Sequence, residues 1–257
     1  MPTSPEELRG LVEESLEALE LWPQLHGQAE SVRYSITVGG KRVRPVICLA
    51  TAEAAGVSPE AALPAGCALE LVHTFSLVHD DLPALDDDKE RRGQPSTWKR
   101  YGEAVGILAG DALLAEAFRL ATSYDTPRVA RELAHATLGM IGGQYLDITG
   151  TAPDGVTLHS LKTGCLFSAA VGLGLWVAGI PEGEQAAWRA FGDELGLLFQ
   201  IVDDILDDDG YVLTHGSSSA RRLADEAAER ARARLDQVAA DTTVLREIVD
   251  GLAVRTA

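Results

Sequence analysis

The sequence predicts an all-α fold in one domain that spans residues 1–257. Long Ala/Leu-rich segments carry apolar residues at three- and four-residue spacing, and the alternating Val/Ile/Thr runs typical of strands are absent. Hydrophobic residues make up 46% of the chain but aromatic residues only 5%, a composition that suits close helix packing better than a β-sandwich. No linker or low-complexity tract divides the chain, so we expect a single domain.

The first helix is predicted by a capping box, in which Ser4 is followed by Pro5 and by Glu7. Ser58 and Thr126, each followed by proline, repeat this kind of helix start. Helical spacing is clearest in residues 65–79, 105–124 and 185–206, and residues 220–239 have the Ala/Arg/Glu composition of a solvent-facing helix that closes the fold. Loops are predicted over residues 86–96, 149–157 and 207–219.

Residues 163–181 carry no charge, which raises the question of a membrane span. A span needs about 20 predominantly apolar residues, and Ser168 and several glycines dilute this segment. We therefore predict a buried core helix, with a transmembrane helix as the alternative. The N-terminal residues lack the basic and apolar regions of a signal peptide, so no leader and no membrane span are expected.

The charge balance narrows the class of partner. A formal net charge of -17 argues against nucleic acid and anionic membrane surfaces, which need a basic face. An acidic protein that binds anions must use local basic clusters or metal ions. The cysteines Cys48, Cys67 and Cys165 are scattered through apolar stretches without C-x-x-C spacing, which predicts buried thiols in a reducing cytoplasm.

The first acidic cluster is Asp80-Asp81 followed by residues 86–88, all aspartate. A helix through Leu77 must end near Pro83, because proline is not tolerated in a helix interior. Asp80 and Asp81 would then lie at the C-terminal turn, where the helix dipole disfavours negative charge. A solvated acidic helix end is the plain alternative, but the strongly apolar segment before the pair favours a bound cation.

The second acidic cluster contains Asp203, Asp204 and Asp207 on a segment with buried-type apolar neighbours. Asp203 and Asp207 are four residues apart on one helix face, a like-charge pair that destabilises an isolated helix. Gln200 lies one turn before Asp203 on the same face. One such stripe could be a surface face, but two clusters that end apolar helices predict a shared ion site.

Carboxylates without companion His/Cys clusters favour a hard cation, so zinc is disfavoured. Magnesium is usually held by one or two carboxylates together with substrate phosphates, which makes a diphosphate the natural bridging ligand. Basic groups for its other oxygens are available, since arginine binds phosphate bidentately and lysine acts as a point charge. They are Lys41, Arg42 and Arg44 in VGGKRVRP, Arg91 and Arg92 in ERRG, and Lys162 in KTG.

Together these segments resemble the trans-type polyprenyl diphosphate synthase family, in particular its short-chain bacterial members such as farnesyl diphosphate synthase. The resemblance runs nearly end to end through GGKRVRP, HDDLPALDDDKERRG, GMIGGQYLDI, LKTG and FQIVDDILD, in the family's order. It implies the isoprenoid synthase type of fold, a bundle of long antiparallel helices around a central cavity. It also implies a homodimer.

The resemblance assigns roles to individual residues. It implies catalytic roles for Asp80, Asp81, Asp86, Arg91, Lys162 and Asp203. It implies that Asp80, Asp81, Asp86 and Asp203 bind magnesium, with Asp207 and Asp147 as further metal-site residues. It implies that Arg91, Lys162, Thr163 and Gln200 hold the allylic diphosphate, beside Gln144 and Asp147. It implies that Lys41, Arg44, His73 and Arg92 hold isopentenyl diphosphate.

The reaction implied by the family is the head-to-tail condensation of isopentenyl diphosphate with dimethylallyl or geranyl diphosphate. Diphosphate leaves, an allylic cation forms, and the released diphosphate is the base that takes the last proton. His73 lies seven residues before Asp80, about two helical turns down the same face, so it would reach the same cavity. Phe75 and Ser76 occupy the family's chain-length positions and imply a fifteen-carbon product, farnesyl diphosphate, although core packing also explains Phe75.

The chain departs from the family after the second acidic cluster. Ser217 stands at the spacing of a family lysine, and the segment that usually follows is missing. The departure leaves open a non-catalytic subunit that partners another prenyl diphosphate synthase. A terpene cyclase on the same fold ranks last, because such enzymes pair one Asp-rich motif with an N-D…S…E motif rather than with a second aspartate motif.

Overall fold

A computed structural model describes residues 2–255 of the chain, except for the side chain of Val156. About 75% of the protein is helical, which confirms the all-α prediction. The first half contains α1 (Pro5–Glu17), α2 (Gln28–Thr37), α3 (Val43–Ala54), α4 (Leu63–Asp80), α5 (Thr97–Tyr101) and α6 (Glu103–Ala121). The second half contains α7 (Pro127–Thr149), α8 (Gly155–His159), α9 (Cys165–Val177), α10 (Ala186–Asp207), α11 (Gly210–His215), α12 (Ser217–Leu235) and α13 (Thr243–Ala253).

The predicted helix starts are formed as the capping residues indicate. Ser4 Oγ accepts a hydrogen bond from the Glu7 amide, and the Glu7 carboxylate accepts one from the Ser4 amide at 2.9 Å. The Thr126 hydroxyl accepts a hydrogen bond from the Arg128 amide at the start of α7. These bonds satisfy amide groups that the first turn of a helix leaves without an intrahelical partner.

The hydrophobic core joins the long helices into one continuous cluster. In it α4 packs against α6, α3 against α9, and α10 against both α9 and α12. Small residues permit this packing, because a Cβ on Gly174 of α9 would lie 2.6 Å from the Cys48 carbonyl oxygen of α3. Helix α12 is not simply solvent-facing as predicted, since it buries one face of small side chains: Ala220, Ala224, Ala227, Ala228 and Ala231.

Two helical stretches in residues 2–255 are long and apolar enough to cross a membrane by length and composition, Pro59–Asp80 and Thr157–Val177. Within their most apolar windows, 67% and 56% of the residues are buried inside the protein. Core helices pass the same length and composition test. The second stretch overlaps residues 163–177 of the 163–181 segment predicted as a core helix, and nearly all residues between 166 and 175 of α9 are buried in the interior, with Ser168 the exception.

Three predicted loops contain short regular elements. The 86–96 loop forms a hairpin of β1 (Glu90–Arg91) and β2 (Gln94–Pro95), and α8 begins inside the 149–157 loop. The 207–219 loop is the least accurate prediction, because it holds α11 and the start of α12. The buried Asp204 carboxylate, which accepts a hydrogen bond from the Tyr211 amide at 2.9 Å, stabilises the first turn of α11.

A π-helical turn, Ser160–Gly164, separates α8 from α9. Its widened register is marked by the Cys165 amide, which donates to the Ser160 carbonyl five residues earlier. The sequence pattern predicted uninterrupted core helix from residue 163 onward. The turn places Lys162 and Thr163 on a segment that is not α-helical, which bears on the site described next.

Candidate active site

A cavity of about 1050 Å³ lies between α3, α4, α7, α9 and α10. Its polar end brings together residues from distant parts of the chain: Lys41, Arg44, His73, Asp80, Arg92, Gln144, Lys162, Thr163 and Asp203. Its apolar part is lined by Phe75, Leu114, Met140, Ile141, Ile148, Leu166 and Phe199. The cavity is therefore built for a ligand with one strongly anionic end and one hydrocarbon end.

Asp80 is the last residue of α4, as the nearby proline predicted. Burial raises the pKa of the Asp80 carboxyl to about 6, Lys162 opposes that rise, and the charges of Asp86 and Asp81 add to it. Asp86 itself is exposed, although its amide donates to the Asp80 carbonyl at 2.9 Å, which fixes the turn that carries it. Negative charge is thus concentrated where a cation would be stabilised most.

Asp81 is not brought into the cavity, which departs from its predicted position as a metal ligand. As the residue that caps α4 it is buried on another side of the helix end, where its Oδ1 accepts hydrogen bonds from Arg91 Nε, at 3.0 Å, and from Arg91 Nη2. Arg91 also reaches Asp88 at 3.1 Å. The β1–β2 hairpin thus pairs the Arg91 guanidinium with two carboxylates, and its contact with a diphosphate stays a prediction.

Helix α10 splits the second acidic cluster between two sides. Asp203 lines the central cavity, where burial and then the charges of Asp207 and Asp204 raise its pKa. Asp207 is exposed at the end of α10 and is not among the residues of the cavity wall. Arg255 approaches Asp203 at 3.8 Å from beyond α13.

Gln200 departs from its predicted position beside Asp203. Its Nε2 donates to Asp204 Oδ1 at 2.6 Å, and it lines a neighbouring cavity of about 440 Å³ instead. In a regular helix, residues four apart differ in direction by about 40° and residues three apart by about 60°. Gln200 therefore faces closer to Asp204 than to Asp203.

Arg42 is the residue of the basic segment whose role the sequence reasoning missed. Its side chain is 2% exposed and donates to Glu70 Oε1 at 2.8 Å, to Glu13 Oε1 at 3.0 Å and to the Ile36 carbonyl at 2.8 Å. The backbone of Arg42 is left-handed, with φ of 50°. The signal in the sequence was Glu70, a lone carboxylate in the most apolar part of α4, which requires a buried cationic partner.

The buried hydrogen bonds of the Arg42 side chain hold this segment in place, so that its neighbours Lys41 and Arg44 lie on the cavity wall. The Arg44 guanidinium lies 4.6 Å from the Phe167 ring centroid and 5.6 Å from that of Phe199, positions suited to cation–π attraction. Within residues 2–255, the buried Nε of Arg44 has no hydrogen-bond partner. Arg44 thus retains a donor for a ligand.

His73 lines the same cavity as Asp80 and lies about two turns before it on α4, as predicted. Burial lowers its pKa well below the usual value, and the charges of Arg44 and Arg92 lower it further. The imidazole is therefore neutral, and it adds a hydrogen-bonding group without adding a cation. Arg92 lies against the Gly40 backbone, where a Cβ on Gly40 would be 2.8 Å from its Nη1.

Helix α7 and the π-helical turn form the opposite wall. Lys162 Nζ lies 2.5 Å from Asp147 Oδ2, so Asp147 holds a lysine in this structure rather than standing as a free ligand. Gln144, one turn earlier on α7, has a buried Oε1 without a hydrogen-bond partner among the described residues. Thr163 follows Lys162 on the same wall.

The predicted chain-length residues lie between the acidic end and the apolar end. Phe75 packs edge-on against His79 with ring centroids 5.1 Å apart, and both line the cavity. Ser76 donates to the His73 carbonyl at 2.9 Å and occupies little space. Phe75 and Ser76 are thus both part of the cavity wall, and their role in setting product length stays a prediction.

The oxygen donors of this site fit a magnesium ion that is also bound by substrate phosphate. They do not fit a metal site made of protein ligands alone. Among residues 2–255 no group of three or more His, Cys, Asp or Glu side chains is arranged to hold a metal ion. Asp80 and Asp203 nevertheless share one cavity with elevated pKa values, and they supply the hard oxygen donors that magnesium takes. Ions held by one or two carboxylates would need phosphate oxygens to complete their coordination.

Comparison with known proteins agrees with this chemistry. A family model described as polyprenyl synthetase matches residues 27–218. A geranylgeranyl diphosphate synthase of Cyanophora paradoxa is 45% identical over 193 residues, which cover 69% of this chain and 64% of the relative. A farnesyl diphosphate synthase of Bacillus subtilis is 42% identical over 196 residues, 70% of this chain and 66% of that relative. The match thus spans less than two thirds of either relative's length.

Solved structures resemble the chain over nearly its full length. An apo FPP/GFPP synthase from Zymomonas mobilis is 32% identical with a TM-score of 0.83, covering 97% of this chain and 96% of the other. A geranyltranstransferase from Thermotoga maritima is 29% identical with a TM-score of 0.82, covering 96% of each chain. These neighbours place the helical bundle in the same fold as proteins named for prenyl chemistry.

Proposed function

Because this chain belongs to the polyprenyl synthetase family, we propose that it is a magnesium-dependent prenyl transferase that joins isopentenyl diphosphate to an allylic diphosphate. The observation that carries the proposal is the meeting of Asp80 and Asp203, 123 positions apart in the chain, in one cavity with basic side chains and an apolar tail region. Such a cavity suits a diphosphate with a hydrocarbon chain.

The two substrates would bind to opposite sides of the central cavity. On the α7 side, Lys162, Thr163 and Gln144 would hold the allylic diphosphate, supported by the orphan Oε1 of Gln144. On the α3 side, Lys41, Arg44 and Arg92 would hold isopentenyl diphosphate, with neutral His73 as a hydrogen-bond partner. Arginine and lysine neutralise phosphate charge that would otherwise be costly in a partly buried site.

Asp80 and Asp203, with Asp86 and Asp207 nearby, would hold magnesium, which when bound offsets the negative charge that grows on the departing diphosphate. Lys162 and Thr163 would stabilise the same charge by hydrogen bonds as the allylic carbon–oxygen bond breaks. Phe75, Leu166 and Phe199 keep water from the region next to the allylic carbon. The isopentenyl double bond then forms the new carbon–carbon bond, and loss of a proton to the released diphosphate completes the reaction.

Isopentenyl diphosphate carrying a radiolabel tests this function directly when it is incubated with dimethylallyl or geranyl diphosphate and magnesium. We expect labelled, solvent-extractable prenyl alcohols after phosphatase treatment, and no product when a chelator removes the metal. Absence of any elongated product with every allylic primer would refute the proposal.

The finer proposal for the product is farnesyl diphosphate, supported by Phe75 beside the small Ser76. The relatives are named for both farnesyl and geranylgeranyl products, so chromatography of the extracted alcohols decides between fifteen and twenty carbons. Exclusive twenty-carbon product would contradict this assignment.

We also propose a homodimer in the cytoplasm. Large apolar side chains stand exposed along α6 and α7, among them Ile107, Leu108 and Leu138. A monomer rarely leaves such a stripe uncovered. Cys48, Cys67 and Cys165 are free thiols, in keeping with a reducing compartment. Light scattering that gave a monomeric mass at micromolar concentration would contradict the dimer.

The alternative of a non-catalytic subunit is favoured by one observation, Ser217 and the short α11 in place of a family lysine and its following segment. In that case the isolated protein would form no product, but it would change the rate or product of a co-purified prenyl synthase. Co-expression with a second synthase separates the two functions.

A further inference from the structure

Helix α7 approaches the π-helical turn most closely at Gly143. A Cβ built on Gly143 would lie 2.5 Å from the Lys162 amide nitrogen, 2.8 Å from its Cα and 2.9 Å from the Leu161 carbonyl carbon. Backbone atoms cannot rotate away as a side chain can, so any residue larger than glycine would displace the turn itself. Gly143 is buried at this contact.

The same face of α7 also fixes the far end of Lys162. Asp147 follows Gly143 by four residues, one turn along the helix, and accepts from Lys162 Nζ at 2.5 Å. Helix α7 therefore contacts Lys162 at two points. The Lys162 backbone packs against Gly143, and the Lys162 ammonium group pairs with the Asp147 carboxylate.

The π-helical turn separates two cavities. Lys162 and Thr163 line the central cavity, whereas Leu161 and Gly164 line the neighbouring cavity of about 440 Å³. A shift of the turn away from α7 would move the two polar side chains relative to Asp80, whose pKa already reflects the charge of Lys162. π-helical turns are rare and are frequently found at functional sites.

We propose that Gly143 is a positioning residue of the allylic diphosphate subsite, and that it acts through the backbone of the turn carrying Lys162 and Thr163. This inference rests on the proposed function, because it assumes that the turn binds the diphosphate. The substrate class it concerns is the allylic diphosphate, because the proposed function assigns Lys162 and Thr163 to that substrate and Lys41, Arg44 and Arg92 to isopentenyl diphosphate.

The chain supplies a matched control at the next position. A Cβ on Gly142 would meet nothing within 4 Å, so Gly142→Ala changes the same residue type in the same helix without touching the turn. Gly139→Ala provides an intermediate case, because its Cβ would lie 3.4 Å from Cys165 Cβ, an ordinary contact.

Steady-state kinetics with each substrate varied in turn tests the proposal. Displacing a binding group by about 1 Å costs on the order of 100-fold. We therefore expect Gly143→Ala to lower kcat/KM for the allylic diphosphate by about that factor while KM for isopentenyl diphosphate stays within about twofold of the parent. Gly142→Ala and Gly139→Ala should match the parent for both substrates. Equal kinetics of Gly143→Ala and Gly142→Ala, or a KM for isopentenyl diphosphate that rises as much as the KM for the allylic diphosphate, would overturn the proposal.

A double-mutant cycle shows whether the effect passes through Lys162. If it does, Gly143→Ala and Lys162→Met are strongly sub-additive, whereas additive losses would overturn the mechanism. If circular dichroism shows that Gly143→Ala does not fold, Asp147→Asn replaces it in the cycle, since it removes the ammonium partner without adding volume; additive losses there are equally contradictory. Failure of the proposed function is distinct, because the parent protein would then form no product at all.

Discussion

Replacing Arg42 with methionine should weaken both folding and binding of isopentenyl diphosphate. The Arg42 side chain is 2% exposed and the Glu70 side chain 4%, so the substitution leaves a buried carboxylate without its nearest cation. Breaking a buried pair in this way costs about 3–5 kcal/mol. We expect the lower value, about 3 kcal/mol, because Arg44 and Arg92 lie close enough to Glu70 to offset part of its charge.

Urea denaturation followed by circular dichroism measures this loss, with Glu13→Gln as the control. Glu13 meets the same guanidinium at 3.0 Å but is 34% exposed, so its removal should cost less than about 1 kcal/mol. The double variant Arg42→Met/Glu70→Leu should recover most of the loss, because no unpaired charge remains. A cost for Arg42→Met no larger than that of Glu13→Gln would refute the reasoning.

The functional part of the same prediction concerns the segment between α2 and α3. Without the Arg42 bonds to Glu70 and to the Ile36 carbonyl, Lys41 and Arg44 lose their fixed positions on the cavity wall. We expect KM for isopentenyl diphosphate to rise by about tenfold or more, while KM for the allylic substrate changes little. An unchanged KM for isopentenyl diphosphate in folded Arg42→Met would contradict this role.

Three further predictions follow from the acidic clusters and the cavity floor. Asp203 lines the cavity, so Asp203→Asn should abolish most turnover with little loss of stability. Asp204 instead accepts from the Tyr211 amide, so Asp204→Asn should lower the free energy of unfolding by about 1–2 kcal/mol and keep magnesium-dependent activity. Equal kinetics of the two variants would contradict these separate roles of Asp203 and Asp204. Burial raises the pKa of Asp80 from 3.8 to about 6, so its contribution to the free energy of unfolding is most favourable below pH 3.8 and declines as pH rises through 6. Under the proposed function magnesium would bind the ionised carboxylate of Asp80, so the magnesium concentration for half-maximal activity should rise about tenfold from pH 7 to pH 5, and a flat pH profile would contradict the assignment. Phe75→Ala should yield longer products by chromatography, since it opens the floor beside the apolar part of the cavity; an unchanged product would show that another residue sets the length.

The elements that obey local rules were predictable from sequence. Proline near the end of α4 fixed where that helix stops, and the seven-residue spacing between His73 and Asp80 placed both on one cavity wall. These results depend only on helix periodicity and on the covalent geometry of proline. The all-α class followed in the same way from spacing and composition.

The choice of partner by each polar side chain was not predictable in this way. Asp81 pairs with Arg91 because a hairpin folds back onto the end of α4, and Gln200 bonds Asp204 rather than facing Asp203. Each outcome depends on what another element presents at a given position, which a periodic pattern does not contain. The π-helical turn at Lys162 likewise lies against another element, because α7 approaches its backbone closely at Gly143.

The central claim is that the two acidic clusters act on one diphosphate. Its most direct test is a crystal structure of the protein grown with manganese, as an anomalous substitute for magnesium, and a non-hydrolysable allylic diphosphate analogue. We predict anomalous density between Asp80 and Asp203, with the analogue's diphosphate on the same ions and near Lys162. Ordered analogue bound elsewhere, or ions that touch neither aspartate, would contradict the account.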